Sequence, residues 1–175
     1  MELTPVRVAD VNDIGAVISL CEMLYEENGE KTFHLSIDKM MTTVRNVLEK
    51  RGGVMGIIGD GEEVYGMICL VLEAPWYSDD FGLYELFNFV HPQHRASNYA
   101  KSLIVFAKSQ SDKLSIPLDI GILSNIRTEA KCRLYRAILP KIGEFFRYVP
   151  GADLTPIGRP RTRELNRQKR GKIDA

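Results

Sequence analysis

At 175 residues, 45% apolar and 26% charged, with 23 basic groups balanced by 23 acidic ones, the chain has the size and composition of one globular domain with a real core. No apolar run approaches membrane-spanning length, no segment is repetitive or of low complexity, and the opening MELTPVRVAD lacks the basic-then-apolar pattern of a secretory leader, so a cytoplasmic protein with no membrane partner is expected. Cys21, Cys69 and Cys132 are odd in number and far apart, which excludes the usual zinc spacings and points to reduced packing thiols; His34, His91 and His94 share no helix face, so no metal is expected.

In chain order, Thr4 to Val8 reads as a short strand. Asp10 is placed to cap a helix whose apolar face is Ile14, Val17, Ile18, Cys21, Leu24 and Tyr25, ending at Asn28-Gly29. Ser36 is the next cap, and Ile37, Met40, Met41, Val44, Val47 and Leu48 form a second stripe at helical spacing. Val54–Ile58 and Val64–Leu72 are two strands around Gly59-Asp60-Gly61-Glu62, a hairpin signal. A loop from Ala74 to Phe81 leads into a third apolar run, Leu83–Val90. That run stops at His91-Pro92, and a polar turn carries Gln93, His94 and Arg95. A helix follows with Ala100, Leu103, Ile104 and Ala107 on one face. Leu118–Leu123 reads as a strand, Thr128–Leu139 as a helix and Glu144–Val149 as a last strand.

The order is therefore strand, two helices, three strands, helix, strand, helix, strand, an α/β mixture with an antiparallel meander ahead of the βα units. Residues 151–175 differ in kind. They hold seven basic against three acidic groups, leaving 16 basic and 20 acidic groups in residues 1–150. Pro150, Pro156 and Pro160 discourage regular structure there, so a solvated or loosely docked basic tail is expected, and a nucleic-acid contact through it is the lesser reading. The mildly acidic body suits a cationic substrate.

Residues 83–104, LYELFNFVHPQHRASNYAKSLI, carry the most chemical information. A strand feeding through a tight turn into a helix leaves unpaired N–H groups at the helix start, an anion site reinforced by the helix dipole, although an ordinary strand–turn–helix fits the same pattern. The segment resembles the acetyl-coenzyme A motif of the GNAT acyltransferase superfamily, in which a strand ending V-x-P leads to Q/R-x-x-G-x-G/A. Arg95, Asn98 and Ala100 take the three defining places. Asn98 replaces the central Gly and Ala96 the Gly often found after the Arg. Asn tolerates positive φ better than other non-Gly residues, which would preserve the turn. The order of elements over residues 3–149 is also similar to the GNAT fold. The stretch TEAKCRLY with a later FFRY is similar to that of small, phage-encoded members.

The resemblance implies a mixed α/β sheet in a GNAT-like domain, residues 1–150, whose strands Leu83–Val90 and Leu118–Leu123 splay to admit the pantetheine arm of acetyl-coenzyme A. The coenzyme is then a co-substrate held by the backbone at Phe89 and Val90 and by Gln93, His94, Arg95, Ala96, Ser97, Asn98, Tyr99 and Ala100, with Asn125 a further contact. Acyl transfer to an amine needs a neutral nucleophile, a donor for the developing oxyanion and a proton for the leaving thiolate, and no covalent enzyme intermediate. Glu85 stands alone in an apolar strand, where desolvation raises a carboxyl towards the range of a useful base; an outward-facing or paired Glu is the plain alternative. The resemblance makes Glu85 the base.

Tyr135 lies beside a helical stripe of Ala130, Leu134, Ala137 and Ile138, which by itself marks a boundary core residue. Its similarity to the Tyr of the family's N-x-x-A-x-x-L-Y element implies the acid that protonates the coenzyme sulfur. Asn125 precedes it by ten residues, three more than that element has. Trp76, Tyr77, Asp79 and Asp80 are candidates for an acceptor pocket on position alone. The implied reaction is acetyl transfer to a small-molecule or peptidyl amine. A catalytically weak GNAT-like binding or accessory protein, acting through partner or nucleic-acid contacts, is the alternative, and a homodimer is left open.

Overall fold

The computed structural model describes residues 2–28, 33–60, 63–123 and 126–145. Among these, five strands form one sheet in sequence order: β1 (Arg7–Val8), β2 (Gly53–Asp60), β3 (Glu63–Glu73), β4 (Gly82–Val90) and β5 (Leu118–Asp119). The first four pair antiparallel, and β5 joins β4 in parallel after a helical crossover. Helices α1 (Ile14–Asn28) and α2 (Ile37–Leu48) lie between β1 and β2, α3 (Tyr99–Leu114) is the crossover, and α4 (Thr128–Arg136) follows β5.

Both expected caps are made. The Asp10 carboxylate accepts the Asn12 N–H at 2.8 Å, and Asp13 reaches back to the Asp10 N–H at 2.9 Å, a reciprocal capping box ahead of α1. Asp13 also receives both guanidinium arms of Arg7, at 2.9 and 2.6 Å. Ser36 Oγ accepts the Lys39 N–H at the start of α2.

The sheet is covered on both faces. Met67, Cys69 and Phe89 join Val17, Leu20 and Cys21 of α1 and Val44, Val47 and Leu48 of α2 in one core. Ile68, Leu70, Leu83 and Val90 pack with Leu103, Phe106 and Ala107 of α3 in the other. This explains why β3 reads as an almost unbroken apolar run: alternate side chains are buried on opposite faces. Gly56 has a packing reason to be Gly, since a Cβ there would lie 2.5 Å from the Phe106 ring.

Several elements differ from the expected ones. Only Arg7–Val8 of the first strand is paired, and β5 stops at Asp119 rather than continuing to residue 123. Helix α4 ends at Arg136 instead of Leu139. The N–H groups of Ile138 and Leu139 both turn back to the Tyr135 carbonyl, and Leu139 precedes Pro140, which disfavours helical backbone. Residues 144–145 are not in a strand, and the rest of the expected last strand lies outside the described residues, as do Asn125 and the basic tail. The cysteines are free, with Cys21 and Cys69 buried as expected of packing residues.

Candidate active site

Two irregularities of β4 create the site. Cys69 faces Phe87 and Leu70 faces Glu85, so Leu86 has no opposite number and the strand carries a bulge there. On its other edge, β4 is paired only at Leu83 and Tyr84, with Leu118 and Asp119. From Glu85 to Val90 that edge has no partner strand among the described residues. The parallel pair therefore opens at Glu85, where a splay of these two strands is expected.

Glu85 sits at the mouth of that opening. Its Oε2 is buried and has no hydrogen-bond partner among the described residues. Burial pushes its carboxyl up to about 8, against a partial pull downwards from the Gly121 backbone and the Lys131 ammonium. Helix α4 closes over the same stretch. Tyr135 Oη lies 3.3 Å from Asn88 Nδ2, which donates to it, and burial together with the Glu85 charge holds the phenol well above its ordinary value. Lys131, one turn earlier on the same face of α4, interacts with Glu85, Glu27, Arg95 and Arg127. Its ammonium is shifted downwards, first by burial. Glu85 and Tyr135 are thus brought together by different elements. One is a carboxyl pushed up to about 8 and the other a phenol held well above its ordinary value.

The turn after β4 is built differently from the expected cradle. Asn98 has φ −88° and ψ 7°, so the positive φ expected in place of a Gly is not used. Its side chain is spent on the start of the chain: Oδ1 accepts from Thr4 Oγ1 at 2.6 Å and Nδ2 donates to the Glu2 carbonyl. The Thr4 N–H reaches Ser102 Oγ at 3.0 Å. Arg95 folds back across the sheet, donating to the Val90 carbonyl at 3.0 Å, lying 5.3 Å over the Phe89 ring and pairing with Glu27 at the end of α1. The Ser97 N–H goes to the His94 carbonyl and the Tyr99 N–H to Ser97 Oγ.

What the turn can offer an anion is the first-turn N–H groups of Ala100 and Lys101, which precede the first α-helical bond from Ser102 to the Asn98 carbonyl, and the dipole of a 16-residue helix. A coenzyme phosphate fits that backbone better than it fits the Arg95 guanidinium. Ala96 and Ser97 are exposed beside it. His94 is held between rings, 4.3 Å from Tyr65 and 5.9 Å from Tyr99. Gln93 is exposed. Phe89 is core, so only its backbone faces the question of ligand contact.

The remaining candidates separate from this centre. Trp76, 95% exposed, meets Tyr77 edge to face in the loop ahead of β4, five to nine residues upstream of Glu85, and Asp79 and Asp80 are exposed beside them. A cleft of about 320 Å³ opens between α1 and the turn, lined among others by Leu20, Met23, Tyr65, His91 and His94, but not by Glu85 or Tyr135. Ala130 and Ala137, expected on the buried stripe of α4, are exposed; the face towards β4 is the Lys131–Tyr135 one. Sequence reasoning passed over Asn88, a polar residue in the same apolar strand that marked Glu85. It also passed over Lys131, four residues before Tyr135. Glu27 carried no local signal. No group of His, Cys, Asp and Glu that would hold a metal occurs among the described residues, and no described helix is long and apolar enough to cross a membrane.

No protein-family model and no curated protein matches the chain. Solved structures do. A predicted acetyltransferase with acetyl-CoA from Clostridium acetobutylicum superposes with a TM-score of 0.64 at 16% identity, over 83% of this chain and 95% of that one. A ribosomal-protein-alanine N-acetyltransferase from Brucella melitensis biovar Abortus 2308 gives 0.60 at 15%, over 83% and 98%. An aminoglycoside 6'-N-acetyltransferase from Acinetobacter haemolyticus gives 0.61 at 12%, over 86% and 100%. At these identities the likeness establishes the fold, which is that of the GNAT acetyltransferases.

Proposed function

We propose that this chain transfers an acetyl group from acetyl-coenzyme A to a primary amine by direct attack, with Glu85 as the base and Tyr135 as the acid. The observation that carries this reading is the buried, unpartnered Glu85 Oε2 at the point where β4 and β5 part, with Tyr135 closing over the same opening. An open acceptor for a proton, withdrawn from water and facing a phenol, has a chemical use there and no structural one. The acetyltransferase fold supports acetyl-coenzyme A as the donor. When bound, the coenzyme supplies an activated acetyl thioester. The N–H groups of Ala100 and Lys101 would hold its phosphate, and the unpaired β4 edge through Phe89 would hold its amides. Glu85 takes the proton of the attacking amine, and Tyr135 gives one to the departing thiolate. The acceptors named for two fold neighbours, an aminoglycoside and a ribosomal protein's alanine, make a small-molecule amine and a peptidyl amine the two classes to try first.

One observation favours the weaker-binding alternative: Arg95 and Asn98, the two side chains best placed to meet phosphate, are engaged within the protein. Acetyl-coenzyme A decides between the two readings. A rise in melting temperature with sub-millimolar acetyl-coenzyme A, followed by amine-dependent release of free thiol, is expected. Binding without thiol release across aminoglycosides and N-terminal peptides would favour an accessory protein, and no binding would remove the acetyltransferase reading.

A further inference from the structure

One amine that interacts with Glu85 belongs to the chain itself. Lys131 and Tyr135 are four residues apart on α4 and share a face. Tyr135 reaches Asn88, three residues beyond Glu85 on β4, so this face of α4 lies against the unpaired strand edge. Lys131 and Tyr135 both interact with the Glu85 carboxyl. Lys131 also differs from its kind. Lys39, Lys50, Lys101, Lys108, Lys113 and Lys141 are all exposed, whereas Lys131 is half-buried.

Resting on the acetyl-transfer reading above, we propose that Lys131 is an acetyl acceptor within its own chain, modified by acetyl-coenzyme A in the cleft beside Glu85. The neutral Nζ attacks the thioester carbonyl carbon; the N–C bond forms and the C–S bond breaks. One Nζ proton passes to Glu85 Oε2, and the thiolate takes the Tyr135 phenolic proton. The products are N-acetyl-lysine and free coenzyme A, with no change of oxidation state. The charges around Nζ act both ways. Burial, Arg95 and Arg127 favour the neutral amine that attack requires, while Glu27 and Glu85 favour the ammonium. Acetylation would remove a positive charge from beside Glu85 while the bond from the Gly121 backbone stays.

The test is intact-mass and peptide mapping of the full chain incubated with isotope-labelled acetyl-coenzyme A. One acetyl group on Lys131 is expected, formed at a rate independent of protein concentration and slowed about a hundredfold in Glu85→Gln. Lys131→Arg, which keeps the charge, should abolish that one modification while its melting temperature stays near the wild-type value. Label confined to exposed lysines, or label on Lys131 at the same rate in Glu85→Gln, would overturn the proposal. A thermal shift with acetyl-coenzyme A separates the two levels. Binding and transfer to an added amine with Lys131 unmodified sinks this inference alone, whereas absence of binding sinks the acetyltransferase reading with it.

Discussion

Asp13 and Glu85 are both carboxylates drawn into the fold, and the chain treats them in opposite ways. Asp13 accepts from two Arg7 nitrogens and from the Asp10 N–H, and these bonds hold it below the ordinary carboxylate range. Its charge is fully used in fixing the entry to α1. Glu85 has a backbone bond from Gly121 and a nearby ammonium, yet one oxygen stays buried without a partner and its carboxyl is pushed up to about 8. A satisfied buried charge builds structure, while an unsatisfied one costs stability and persists where chemistry needs it. The difference supports a structural role for Asp13 and the proposed chemical role for Glu85.

The sharpest way to break the contrast is to remove the charge at Glu85. Glu85→Gln keeps the shape of the side chain, and turnover with acetyl-coenzyme A and a competent amine should fall about a hundredfold or more, with coenzyme affinity nearly unchanged. Steady-state kinetics and calorimetry read the two quantities separately, and normal turnover would make Glu85 an ordinary buried acid. At the other carboxylate the loss should be structural. Asp13→Ala removes a capping box and a bidentate ion pair, and should cost about 2 kcal/mol, seen as a melting temperature lower by roughly 4–8 °C. Because Asp13 is held ionised by its partners, its contribution is present above the ordinary carboxylate pKa and fades as pH falls through the lowered folded value.

The pH dependence of stability at Glu85 has the reverse sign. In the unfolded chain its carboxyl ionises near 4.5, and in the folded chain near 8, so the unfolded state gives up its proton first as pH rises. Stability attributable to this group therefore falls between those values, by up to about 1.4 kcal/mol per pH unit, and levels off above pH 8. Glu85→Gln should melt higher than wild type at pH 8 and no higher at pH 4. A variant that gains nothing at pH 8 would show that Glu85 is better paired than its geometry indicates.

Much of this was legible in the sequence, and the parts that were not share a cause. Asp10 and Ser36 announced their helices because caps are local, and the alternation and unbroken apolar runs of β2, β3 and β4 fixed their places. Glu85 stood out as an acid in an apolar strand, and Tyr135 through its resemblance to a known motif. The turn was misread because its side chains choose partners far along the chain. Arg95 pairs with Glu27, 68 residues away, and Asn98 bonds to Thr4 and Glu2, 94 and 96 residues away. Local pattern assigned Asn98 a positive φ; its tertiary bonds hold it at −88°. The smallest of the expected effects follows from this. Asn98→Gly should not tighten acetyl-coenzyme A binding, as a strained turn would predict, and should instead lower stability by about 1 kcal/mol through loss of those two bonds. Calorimetry beside a denaturant titration distinguishes the two.

The central claim is that Glu85 Oε2 is kept without a hydrogen-bond partner so that it can take a proton from the amine. The most direct test is the pH profile of single-turnover acetyl transfer, wild type against Glu85→Gln, with acetyl-coenzyme A saturating. The account predicts a wild-type rate that rises with pH and bends near 8, as Glu85 ionises, and a residual rate in Glu85→Gln without that bend. The same bend in both proteins would contradict it.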